Sequence, residues 1–180
     1  MKLETDQDLE IAVSRLAQRT PDSLANFIAS FACESGPIGE HVRTFIVGDD
    51  LTATRESLSE RIYAFRPSKH RHVRRGEGAQ VGERLEFILD SIESLVLSVD
   101  SRAAFELLVS LIERDGDAME QCGDYHDSVA AAVNRAIRLV AKAGRSLPEE
   151  EVRRTLERLI AEDAYGTRET LTEVAARFAP

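Results

Sequence analysis

Tryptophan is absent from this sequence, and aromatic residues make up only 6% of it. Single-stranded nucleic acid is held on stacked rings, and no Phe, Tyr or Trp interleaves the basic residues of this chain's most basic stretch, 66–75. Cysteine is nearly absent as well. Cys33 and Cys122 stand far apart with no second pair, which excludes a disulfide framework and a zinc site of paired thiols. They read as two free thiols in a reducing compartment. No apolar run approaches the ~18–20 residues of a membrane span. Met1-Lys2-Leu3-Glu4-Thr5-Asp6 lacks the charged-then-apolar build of a signal peptide. The expectation is a bacterial-style cytoplasmic protein. There is no Gly-rich phosphate loop, no Gly-x-Ser-x-Gly elbow and no His-Glu-x-x-His helix. No cofactor is therefore expected, and the sequence leans away from an enzyme.

What is present is helical. Apolar residues form 43% of the 180, enough for a core, and they recur at steps of three, four and seven. The organising stretch is Val81 to Arg114. Val81, Leu85, Ile88, Leu89, Ile92, Leu95, Val96 and Val99 mark one helix. Ala103, Ala104, Leu107, Leu108, Leu111 and Ile112 mark the next. So long a stripe requires cover from earlier helices on one side and later helices on the other. Before it, the pattern predicts helices through Leu9–Leu16, Leu24–Phe31, Ile38–Ile46 and Leu51–Phe65. After it come helices through Val129–Val140, Val152–Ile160 and Leu171–Phe178. Thr20-Pro21, Asp49 or Asp50, Asp127 or Ser128, and Ser146-Leu147-Pro148-Glu149 supply start signals. Gly36-Pro37, Gly48, Gly144 and Tyr165-Gly166 supply stops. The reading is all-α: about nine antiparallel helices in an irregular α/α stack or short superhelix, one domain spanning 1–180. The first helix, with Ala12 and Leu16, is open to pairing with another copy, so a homo-oligomer belongs among the expectations.

Charge is unevenly placed. The formal total is −9, which disfavours a general nucleic-acid binder. Yet Arg66, Lys69, Arg71, Arg74 and Arg75 give +5 with no acid among them, in an irregular loop over 66–78, while residues 1–65 sum to −5 and 76–180 to −9. Arginines there suit a carboxylate or phosphate, and hence an acidic protein partner. His70 and His72 lie in the same loop. A second reading of the loop is a salt-sensitive nucleic-acid contact; a solvated loop paired to its own acidic body is the plain one. A further concentration of chemistry is Cys122, Asp124, His126 and Asp127, which alternate metal-ligand types and would let a thiolate work beside an imidazole. They fit no known ligand spacing. The plain reading is a capping loop, and a small enzyme or metal-binding protein is the alternative.

Leu24-Ala25-Asn26-Phe27-Ile28, Ala104-Phe105-Glu106-Leu107-Leu108, Asp124-Tyr125-His126-Asp127-Ser128 and Ala164-Tyr165-Gly166, with the basic segment, resemble a bacterial all-helical family. That family is described only as a domain of unknown function, with tetratricopeptide- or HEAT-like stacked helices. The resemblance spans roughly residues 20 to 178. The family has a doubled acid where this chain has His126-Asp127. The resemblance implies a fold and transfers no catalytic residue. The functional expectation is a non-enzymatic protein-interaction module, its basic loop meeting a protein partner.

Overall fold

The computed structural model describes residues 6–33, 36–46, 50–65, 77–122, 126–164 and 166–178. Ten α-helices and no strand occur among them. They are α1 (Asp6–Ala17), α2 (Pro21–Ala32), α3 (Pro37–Ile46), α4 (Leu51–Tyr63), α5 (Glu77–Ser91), α6 (Ser101–Ile112), α7 (Asp115–Cys122), α8 (His126–Gly144), α9 (Glu149–Ala161) and α10 (Leu171–Ala175). The all-α reading stands. The count exceeds nine because α7 is helical; its inward positions include Asp115 as well as Ala118, Met119 and Cys122, so the apolar stripe is broken by an acid.

The chain divides into two compact units, Met1–Arg43 and Thr44–Pro180. In the first, Thr20 caps α2 by accepting from the Ser23 amide at 3.3 Å, with Pro21 at the first helical position. The rings of Phe27 and Phe31 meet edge to face at 4.9 Å. Arg43 donates to the Ala32 carbonyl at 2.7 Å. No residue of α2 is buried.

The second unit has a closed core. Asp50 is the cap of α4, accepting from the amides of Thr52 and Ala53. Asp100 caps α6, accepting from Ala103 at 2.9 Å. α6 is the central rod. Besides the expected stripe, Phe105 and Val109 are buried, so α6 is covered over most of its circumference and keeps Arg102 and Glu106 exposed. It packs on α8 and α4, while α5 lies against α4, α7 and α8. The organising stretch is thus flanked by earlier and later helices, as its stripe requires. Leu108, Ile112, Val133, Ile137, Val140, Leu156 and Leu159 are each fully buried. Side chains of that size stabilise by about 1.5–3 kcal/mol apiece on burial.

Three local readings are corrected. Between α5 and α6 the chain forms a π-helical turn, Ile92–Val96, closed by the Leu97 amide on the Ile92 carbonyl at 2.9 Å. The extra residue rotates the chain beyond it, so Val99, expected inward, is 71% exposed. α8 starts at His126, so Asp127 and Ser128 lie within its first turn rather than before it. Ile160, also expected inward, is exposed at the last turn of α9.

Helices α5 and α8 approach closely at Gly82. A Cβ there would stand 2.5 Å from Ser128 Oγ and 2.7 Å from Ser128 Cβ. Gly82→Ala gains about 1 kcal/mol of helix propensity but forces the helices apart, at a cost of about 1–3 kcal/mol. Chemical denaturation should show a net loss of stability, and Ser128→Gly in the same chain should restore most of it.

Candidate functional site

The basic residues Arg66, Lys69, Arg71, Arg74 and Arg75 lie outside the described residues. So does Asp124, and for His126 only the backbone, at the start of α8, is described. Cys122 and Asp127 are placed. Cys122 is fully buried at the end of α7, its thiol donating to the Met119 carbonyl at 3.2 Å. Burial pushes that thiol above its ordinary pKa, the reverse of what a thiolate nucleophile needs. Asp127 is exposed. Cys33 is a free, exposed thiol. Among the described residues no group of three or more His, Cys, Asp or Glu is arranged to hold a metal ion.

The structure assembles two charged clusters that the sequence reading does not single out. The first is buried. Arg168 follows α9 in the irregular stretch opened by Gly166, whose φ of +68° is the left-handed turn expected at that stop. Its guanidinium meets Asp115 twice, Nε to Oδ2 at 2.8 Å and Nη2 to Oδ1 at 2.9 Å. Nη1 donates to the Leu159 carbonyl at 2.6 Å and Nη2 to that of Ile112 at 3.2 Å. Thr167 donates its hydroxyl to Asp115 Oδ2 at 2.6 Å, and the Gly116 amide donates to Oδ1 at 2.7 Å. The two charged side chains are 4% and 5% exposed. Burial opposes the positive charge of Arg168, but the hydrogen bonds and charge of Asp115, with Asp163 and Glu162 adding theirs, hold its pKa above the ordinary value. A fork paired this completely ties α6, α7, α9 and the chain after α9 together. Both charged side chains are closed off from solvent, and their chemistry is that of a fastener.

The second cluster is on the surface. Glu86, Asp90 and Glu93 stand at helical spacing along α5 and its π turn. Arg135 of α8 reaches all three, at 2.5, 2.7 and 3.1 Å. Lys142, two turns further along α8, also meets Glu93 at 3.1 Å. Hydrogen bonds from Lys142 and Arg135 hold the Glu93 carboxyl below the usual carboxylate range. For Arg135, desolvation works against the cation and the three carboxylates outweigh it, so its pKa is raised. The acid spacing i, i+4, i+7 and the base spacing i, i+7 are signals in the sequence that these two helices pair. Arg168 gives none, because one arginine in a short irregular stretch carries no period.

Two outcomes are expected. Asp115→Ala leaves Arg168 buried without its carboxylate and should cost about 3–5 kcal/mol in denaturant unfolding. A mass-spectrometric time course with iodoacetamide on the folded protein should modify Cys33 alone, with Cys122 reacting only after denaturant is added.

No family model matches this chain, and no curated protein or solved structure is detectably similar to it.

Proposed function

We propose that this chain is a non-enzymatic helical module that binds another protein, the basic segment Arg66, Lys69, Arg71, Arg74 and Arg75 meeting acidic groups of that partner. The observation that carries the reading is where large apolar side chains are left open. Five of the ten such exposed residues among those described fall in the first, much shorter unit: Ile11, Val13, Leu16, Phe27 and Ile38. Apolar surface concentrated in one short segment, rather than scattered singly, is the mark of an interaction face. The segment from α4 onward buries its apolar faces in its own core, so it has little such surface to offer. Charge adds direction: a +5 segment in a chain of −9 attracts acids and repels other bases.

The two charged clusters and the buried thiol support the non-enzymatic half of the reading. Arg168 and Asp115 are spent on each other, and Cys122 is buried where the thiolate form is disfavoured. No described helix is long and apolar enough to cross a membrane. Two free thiols fit a reducing cytoplasm. The stretches that resemble an all-helical bacterial family fall partly on α2, α6 and the chain just after α9, and add no activity.

The test is affinity capture with the intact chain and with a variant in which all five basic residues are serine. A partner that is lost from the variant and regained when the five positions are lysine supports the reading. If every captured partner stays bound to the serine variant, the basic segment is not the contact.

A further inference from the structure

A cavity of about 250 Å³ lies between α8 and the C-terminal helical turns, lined by Arg138, Ala141, Thr170, Glu173, Val174 and Arg177. All six belong to the second compact unit. The floor is apolar: Ala141 is 7% exposed and Val174 2%. Thr170 is turned away from a ligand role, since its hydroxyl and its amide both donate to Asn134 Oδ1, at 2.9 and 3.3 Å. The rim is charged. Arg177 pairs with Glu173 at 2.8 Å. Arg138 has no ion pair or hydrogen bond with a described group, and in residues 44–180 it shares that condition only with Arg145; the other described lysines and arginines are engaged.

An unengaged guanidinium is unusual among the described residues of 44–180. Acids outnumber bases by nine, and neighbouring cations of the same helix, Arg135 and Lys142, have each found a carboxylate. Arg138 instead stands beside a partly enclosed space with a hydrocarbon floor. Its planar fork matches a carboxylate in two parallel hydrogen bonds. Because Glu173 offsets Arg177, the lining carries a net charge of about one positive, which suits a monoanion and penalises a doubly charged phosphate. The volume admits a small molecule and not a polymer.

We propose that this cavity binds a short-chain monocarboxylate, its head on Arg138 and its tail over Ala141 and Val174. The site is independent of the protein-binding reading and stands or falls separately from it. The test is an amide NMR titration of the full chain at fixed ionic strength, with butyrate and inorganic phosphate as probes. Butyrate should give saturable shifts at Ala141, Thr170 and Val174. Arg138→Gln should weaken that binding about tenfold or more, the loss expected for a charge-assisted hydrogen-bond pair. Arg145→Gln changes the net charge equally, about two helical turns further on and just past the end of α8, and should leave binding unchanged. Neither variant removes an ion pair or a side-chain hydrogen bond with a described group, so both should fold. The proposal is overturned by the absence of saturable shifts up to about 50 mM butyrate, weaker than any specific small-ligand contact. Equal weakening by the two variants also overturns it, since that marks diffuse attraction. So does tighter binding of phosphate than of butyrate.

Discussion

A single buried guanidinium holds the second unit of this protein in one arrangement. Arg168 reaches a carboxylate on α7, a carbonyl at the end of α6 and a carbonyl near the end of α9. An apolar core of leucines and valines tolerates small slides of one helix on another. A charge removed from water does not, because every misplaced donor is left unsatisfied in a medium that cannot replace it. Asp115 is fixed with equal economy, by Arg168, by Thr167 and by the Gly116 amide. The pair contributes less through net attraction than through the steep penalty on other registers.

Charge is used differently on the surface. Arg135 spans Glu86, Asp90 and Glu93, and Lys142 repeats the contact one heptad on. Each such pair on its own is worth little in water, but a row of them along two adjacent helices selects their rotation. Gly82 then sets their separation, since Ser128 occupies the space a side chain would need. Rotation and spacing of α5 against α8 are thus set by different residues at different points along the contact. With Arg135 and Lys142 drawn toward α5, Arg138 is left on the flank that faces the C-terminal turns, which is how a cation comes to stand unneutralised in an acidic protein.

Much of this is legible in the sequence, and the parts that are not share a cause. Helical periods, the caps Thr20 and Asp50, and the left-handed Gly166 are local facts, and local facts survive folding. Helix α7 escapes the pattern because an acid sits where an apolar residue would complete it, and only the arrival of Arg168 from distant sequence makes that acid an inward residue. Val99 points outward because a widened turn changes the phase of counting, and a period of 3.6 carried across Ile92–Val96 cannot register it. Phe105 and Val109 fall off the stripe, yet neighbours cover α6 on every side but the one that carries Arg102 and Glu106. The candidate sites divide in the same way. The +5 segment is a fact of composition. Which side chains converge around a cavity depends on residues some thirty-five positions apart, such as Arg138 and Glu173, and no spacing rule joins them.

The partnership between Asp115 and Arg168 also has a bearing on synthesis. The two lie 53 residues apart in the chain. A ribosome delivers the acid first and the base only after all of α8 and α9. Until then Asp115 has no Arg168 to meet it. The pairing that fixes this register is therefore available only once Arg168 has been made.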